Sequence, residues 1–403
     1  MVIRLVRLVF IPNSIFRSGV LLQFVVGIIA ALAIVSSARA DSHADGILEM
    51  MHSVLAGQVT EVAEKAASEA ATSDVLLLRQ FAIELEDMSS GNYATRNNRA
   101  FADLAPLWAR ARADWVASHS PPSDRHVPAQ LLLLPATVTA MIAVDASTST
   151  AWQFERVDGG WRIADAYYVS LGSAGINKRR RGDQRTPLGV YWIVEELDSL
   201  ALPDRYGIRV FPLDYPNALD RRQGRTGDGI WLHGIDPDNN IRPPRDTDGC
   251  IALVNDRILS LGSVLVPGQT PVIVTRELDW REPTSASSTL VDLTGSLLEW
   301  RDALQSQDAD AYFARFAPNY TRFGLSPEQW RSGRARALAA GHVTRVGIEG
   351  LSVLRADDAE ETFVTRFEQI VERRKGSPVR IIRRFYWRRN ADGQFQIIAE
   401  QNG

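Results

Sequence analysis

The chain has 403 residues, enough for two or three domains with buried cores, and its 45% apolar and 23% charged residues are those of an ordinary globular protein. Forty-five Lys and Arg against 48 Asp and Glu leave a net charge of −3, without the basic excess that a nucleic-acid partner demands. A single cysteine, Cys250, excludes a disulfide scaffold.

The first forty residues read as a targeting segment. Arg4, Arg7 and Arg17 precede an apolar run from Val20 to Val35, and Ala38-Arg39-Ala40 offers the small residues of a signal-peptidase site just before Asp41. Cleavage after Ala40 makes 1–40 a signal peptide and the remainder an exported protein; left uncleaved, the same run would be a membrane anchor. Oxidising compartments pair or eliminate free thiols, so one unpaired cysteine in an exported chain asks for a chemical role.

Residues 41–126 are expected to be helical. Apolar side chains recur at three- and four-residue spacings through Ile47, Met51, Val54 and Leu55, then Val75 to Leu85, then Leu104, Leu107, Trp108, Ala111 and Trp115, with Gly91-Asn92 and Asn97-Asn98 as breaks. The segment carries no acid pair or ligand spacing and reads as a packing region or the seam of a homodimer, with His43 and His52 on the surface. Ser118 to Pro128, with Pro121-Pro122, reads as a linker.

A mostly-β domain is expected over 127–280. Short runs rich in β-branched and aromatic residues, such as Leu131 to Leu134, Val138 to Val144, Trp161 to Val169, Gly189 to Ile193, Gly229 to Leu232 and Pro271 to Val274, alternate with Gly, Asp and Ser turns. A polar linker spans 281–289. Residues 290–403 then read as an α+β unit, helices first: a stripe of Leu290, Leu293, Leu297, Trp300 and Leu304, a short helix around Ala311 to Phe316, and a third starting at Ser326-Pro327. Long alternating strands follow through Val346/Ile348, Phe363/Phe367, Ile381/Phe385 and Phe395/Ile397. The fold class is thus multidomain, with a helical N-terminal region, a mostly-β domain and a C-terminal α+β domain.

The chemistry concentrates in Gly229-Ile230-Trp231-Leu232-His233-Gly234 and Arg242-Pro243-Pro244-Arg245-Asp246-Thr247-Asp248-Gly249-Cys250-Ile251, which hold the one cysteine and the one histidine of the β domain. A thiol attacks a carbonyl as thiolate, and an imidazole within reach can take its proton and later deliver it to a leaving amine. Lys178 to Arg181 reads as a solvated basic loop, and Asp183 and Thr186 as turn residues. Asp236 to Asn240 lacks the glycine and the glutamate of a calcium loop, so no metal and no cofactor are assigned.

These segments resemble the L,D-transpeptidase (YkuD) family, whose His-Gly strand end and Ser/Thr-x-Gly-Cys signature match His233-Gly234 and Thr247-Asp248-Gly249-Cys250. A second family feature is matched by Gly182-Asp183-Gln184-Arg185-Thr186-Pro187-Leu188-Gly189, and the resemblance covers about 150 residues, the size of one domain. It implies a periplasmic enzyme whose Cys250 attacks the carbonyl before the terminal D-alanine of a peptidoglycan stem peptide. His233 would be the base, the Gly234 carbonyl its orienting partner, and the amides of Gly249 and Cys250 the oxyanion donors. Thr247, Asp248, Arg242 and Arg245 would meet the substrate, the two arginines alternatively offsetting the carboxylate beside the thiol. The commoner pattern has His where Asp248 stands and Arg where Ala252 stands, which makes transfer to an amine less certain than release to water.

The Asp-Gly-Cys variant with an appended α+β domain resembles a subgroup that includes cell-shape L,D-carboxypeptidases, whose appended domain is a SnoaL-like, nuclear-transport-factor-like cone. Peptidoglycan stem peptides and glycan are the implied partners. Strand alternation puts Arg383 among Ile381, Phe385 and Trp387, either as a ligand contact in the cone or in an ion pair with Glu368 or Glu361. Two other readings compete: a catalytically silent wall-binding protein disabled by Asp248, and a papain-like protease, which lacks its Cys-Gly-Ser-Cys-Trp neighbourhood.

Overall fold

The computed structural model describes residues 44–403 apart from 73–75, 91–103, 122, 159, 237–241, 284–286 and 323. The expected signal peptide, the breaks at Gly91 and Asn97 and most of the Asp236 to Asn240 run lie outside the described residues. No helix of the described residues is long and apolar enough to cross a membrane.

The helical region comprises 44–55, Val59–Thr72, Leu76–Ser90 and Ala105–Ser118. Their stripes close on one another through Met51, Val54, Val62, Ala66, Phe81, Leu85, Leu104, Trp108 and Ala111. The bundle is tied to the β domain, because Tyr168 packs on it and Trp115 Nε1 donates to Thr148 O at 2.7 Å.

The β domain is built on a five-stranded sheet in the order Gly160–Tyr168, Thr150–Val157, Ala140–Asp145, Pro271–Thr275 and Gly189–Trp192. Ala140–Asp145 and Pro271–Thr275 are buried at every position, which explains their unbroken apolar runs: a strand covered on both faces needs no polar alternation. Ile142, Val144, Val272 and Val274 face a second, three-stranded sheet of Ile251–Ala252, Trp231–His233 and Val210–Pro212, meeting Phe211, Leu232 and Ile251. Met141, Ala143 and Ile273 point the other way, toward Leu354, Val364, Tyr386 and Ile398 of the C-terminal domain.

That domain lays helices Ser288–Ser306, Ala309–Ala314 and Pro327–Ala339 over one face of an antiparallel sheet, Val343–Arg355, Phe363–Arg373, Val379–Arg389 and Phe395–Asn402. The third helix starts as its sequence implies, with Ser326 accepting from Gln329 N in a capping box and Pro327 at the first position. Leu131–Leu133, which reads in sequence with the β domain, pairs instead with Val353 and Leu354 as a fifth strand of the C-terminal sheet. Four successive leucines carry no alternation from which that partner could be inferred.

An ion pair sits between the two sheets. Arg384 meets Asp214 and lies 4.0 Å over the Trp192 ring, while Asp214 Oδ1 accepts from Trp192 N at 2.8 Å. The Arg384 side chain is 3% exposed, so losing its partner would strand a buried charge. Asp214→Ala is expected to lower the unfolding free energy by about 3–5 kcal/mol, read from the urea midpoint of the full chain. Arg384→Met with Asp214→Asn should recover most of the loss, since the asparagine can still accept from Trp192. A wild-type midpoint for Asp214→Ala would show that the pair does not hold the domains together.

Candidate active site

Strand Trp231–His233 pairs in parallel with Ile251–Ala252, with Ala252 opposite His233. Cys250 precedes that strand by one residue and by alternation shares a face with Ala252, which brings the thiol and the imidazole to one face of the ladder. Ile230, Leu232 and Ile251 are buried beneath and fix both strands. Gly249 turns the chain into the nucleophile with φ of +123°, and a Cβ there would stand 2.5 Å from Arg185 O, so glycine is required on both counts.

His233 is 3% exposed. Its Nδ1 lies 2.5 Å from Gly234 O; a carbonyl can only accept, so Nδ1 carries the hydrogen and Nε2 presents the lone pair. Burial, with help from Arg242 and Arg205, pushes its pKa down to about 3 against the carbonyls of Gly234 and Tyr206. The Tyr206 ring closes on the imidazole edge-on at 5.2 Å and on Trp231 at 4.8 Å. The Cys250 thiol donates to Gly229 O at 3.3 Å. Burial pushes it up to about 11 and Asp248 adds to that, while the Trp231 amide, Arg242 and Lys178 oppose it. Thiol and imidazole therefore both stand neutral around pH 7.

The other expected site residues divide. Thr247 is a turn clamp: its hydroxyl donates to Cys250 O at 2.8 Å and accepts from Gly249 N at 3.1 Å. With the Gly249 amide so engaged, the Cys250 amide is the one without a partner among the described residues. Asp248 is exposed and takes a 3.3 Å bond from Gln184 Nε2. Arg242 acts on both reacting groups and is paired with Asp246 at 3.7 Å. Arg245 donates to Ala146 O at 2.6 Å.

Lys178 corrects the solvated-loop expectation. It is 2% exposed and bonded to Asp183 at 2.8 Å, within electrostatic reach of the thiol. Against the burial that would raise it, Lys178 and the amides of Arg179 and Arg180 hold the Asp183 carboxyl down at about 2. Asp183 and Thr186 hold the turn, as expected, the latter accepting from Gly172 N at 2.8 Å. Arg383 pairs with Glu400 at 3.8 Å and donates to Gln369 at 2.9 Å. Glu368 is not its partner because it stands opposite Ile382, on the other face, where it binds Arg380 at 2.7 Å. Tyr206 and Asn255 escaped the sequence reading, since neither lies in a signature and only the fold brings them to His233. No three-residue cluster of His, Cys, Asp or Glu among the described residues could hold a metal.

The arrangement sets a cysteine and a histidine at the ends of two adjacent parallel strands, on one face of the ladder. Residues 139–274 match the L,D-transpeptidase catalytic domain (YkuD), and residues 292–401 match the Cds6 C-terminal NTF2-like domain. The protein thus carries a YkuD catalytic domain followed by an NTF2-like domain. The solved structure of Bd1075 from Bdellovibrio bacteriovorus is similar at 24% identity and a TM-score of 0.55, over 69% of this chain and 98% of that one. The helical cell shape determining protein Pgp2 from Campylobacter jejuni is similar at 21% identity and a TM-score of 0.56, over 72% and 98%. Both likenesses are of fold. No curated protein matches the chain significantly.

Because Asp248 raises the thiol pKa, Asp248→Asn should alkylate faster than wild type with a neutral reagent such as iodoacetamide at pH 8. In wild type the rate should climb about tenfold per pH unit through the range below the thiol pKa. Equal rates for the two proteins would remove Asp248 from the electrostatics of the thiol.

Proposed function

We propose that the protein is an exported peptidoglycan enzyme that cleaves the L,D bond between the third residue and the terminal D-alanine of stem tetrapeptides through a Cys250 acyl-enzyme. The observation that carries this reading is the register that sets His233 opposite Ala252, on the face of the ladder shared with Cys250, with Nδ1 of His233 2.5 Å from the Gly234 carbonyl. The catalytic-domain match supports the substrate class and a location outside the cytoplasm.

In this mechanism Nε2 takes the thiol proton as sulfur bonds to the carbonyl carbon. The resulting imidazolium and thiolate stabilise one another where burial disfavours either charge alone. The Cys250 amide meets the tetrahedral oxygen. Nε2 then returns its proton to the departing amine of D-alanine as the C–N bond breaks, leaving a thioester. Water attacking that thioester gives the tripeptide, and an amine gives a cross-link. Asp248 at the exposed lip favours water: a carboxylate keeps an approaching amine protonated and so without a lone pair.

Cys250→Ala and His233→Ala should each abolish trimming of tetrapeptide muropeptides, read by mass spectrometry, while thermal unfolding stays close to wild type. Tripeptide should form at least as fast as 3–3 dimers, and Asp248→His should shift the ratio toward dimers. Turnover by Cys250→Ala would end the nucleophile assignment, and dimers dominating in wild type would overturn the preference for water.

We further propose that the NTF2-like domain holds wall peptide or glycan in its cavity of about 270 Å³, where Arg383, Arg334 and Glu400 stand among Trp300, Tyr312 and Trp330. Full-length Arg383→Ala should co-sediment less with purified sacculi and trim them more slowly, while trimming soluble muropeptides at a rate nearer wild type. Equal sedimentation and equal trimming would leave the cavity without this role.

A further inference from the structure

The peptide unit joining Gly234 to Ile235 is held at both ends. Its carbonyl accepts from His233 Nδ1 at 2.5 Å, and its N–H donates to Asn255 Oδ1 at 3.1 Å. A peptide is planar and conjugated, so fixing the N–H fixes the direction in which the carbonyl oxygen points. Donation from the N–H also polarises the amide and makes that oxygen a stronger acceptor.

Two glycines pack closely against this side-chain oxygen. A Cβ at Gly234 would lie 2.3 Å from Asn255 Oδ1, and a Cβ at Gly207 would lie 2.4 Å from it. Gly234 has no positive φ, and a Cβ there would also come within 3.1 Å of Gly207 Cα and 3.2 Å of Ile208 N, so the glycine lets the histidine loop, the Tyr206 turn and Asn255 approach one another closely. Gly207 ends the turn Asp204–Tyr206, whose last residue supplies the ring and carbonyl facing the imidazole. Asn255 Oδ1 thus sits where the histidine loop, the Tyr206 turn and the helix Asn255–Gly262 converge. That side chain has no helix-capping duty: the N-cap is Val254, without a side-chain cap bond.

We propose that Asn255 is a positioning residue for His233, acting through the Gly234–Ile235 peptide to hold the Nδ1–H tautomer and aim Nε2 at the thiol. The chain of groups then runs from the Cys250 thiol through the imidazole and the Gly234 carbonyl to the Asn255 amide oxygen. This rests on the acyl-transfer reading above and adds to it the group that orients the carbonyl.

Helix propensity does not confound the test. Alanine is a better helix former than asparagine, and aspartate is favoured in a first turn. In the full-length ¹⁵N-labelled chain, the buried Nδ1–H of His233 on the Gly234 carbonyl should give an exchange-protected proton resonance downfield of a free imidazole N–H. Asn255→Ala should move that resonance upfield and lower kcat on tetrapeptide muropeptide about ten- to a hundredfold with KM nearly unchanged, the unfolding midpoint staying near wild type. Asn255→Asp keeps an oxygen acceptor and should retain the downfield resonance and kcat within a few-fold of wild type. A folded Asn255→Ala with wild-type resonance and kcat would overturn the proposal, as would Asn255→Asp behaving like Asn255→Ala. If wild type trims no stem peptide, the proposed function fails by itself, and the resonances of the three proteins still decide the role of Asn255.

Discussion

The central five-stranded sheet has apolar side chains on both faces, and everything else is arranged to keep both of them dry. One face is covered by the three-stranded layer that carries His233 and adjoins Cys250, the other by the C-terminal sheet. Removing either cover would expose an apolar layer large enough to drive aggregation or misassembly. The active site is consequently mounted on a layer whose underside is locked against a close-packed core, and such mounting holds reacting groups in place better than a loop can. The same constraint explains why the C-terminal sheet supplies apolar residues on both of its own faces. Val364 and Tyr386 face the catalytic sheet, while Phe367, Phe385 and Trp387 face the helices of its own domain.

The site withholds charge until substrate is present. Two of the cations near the thiol are paired, Lys178 with Asp183 and Arg242 with Asp246, so their fields are partly cancelled. Arg242 lowers the pKa of thiol and imidazole alike: it favours the thiolate but penalises the imidazolium that must form with it. The balance therefore leaves the pair neutral at rest. A substrate carboxylate drawn to Arg242 would lessen its penalty on the imidazolium, and a filled cleft excludes the water that would otherwise screen the two new charges from each other.

Much of this was legible in the residues. His233 and Cys250 stood out because a lone thiol in an exported chain and a histidine ending an apolar strand are both chemically conspicuous, and the Ser326-Pro327 helix start reads from its capping chemistry alone. What did not read were quantities decided by register across distant segments. Alternation placed Arg383 on the correct face, yet its partner Glu400 comes from the neighbouring strand Phe395–Asn402, whose offset only the folded sheet sets. Lys178 looked solvated because it heads a basic run, and its burial depends on Asp183 folding back five residues. Asn255 lies five residues past the nucleophile with no local pattern to mark it. Only the fold brings it against Gly234 and, 48 positions upstream, Gly207.

The arginines of the C-terminal sheet divide between its two faces. Arg384 is locked to Asp214, Arg380 to Glu368 and Glu349, Arg388 to Asp358 and Glu360, and Arg389 to Asp292, while Arg383, paired with Glu400, lines the cavity beneath the helices. Arg383 and Arg384 are successive residues and point to opposite faces, so the cavity lies across the sheet from the catalytic domain. The shared apolar core and the buried Arg384–Asp214 pair leave little freedom for one domain to swing against the other. In the proposed function, a wall strand held in the cavity would be presented at a fixed distance from Cys250. Selection of a stem peptide would then depend on the spacing along the polymer rather than on domain closure.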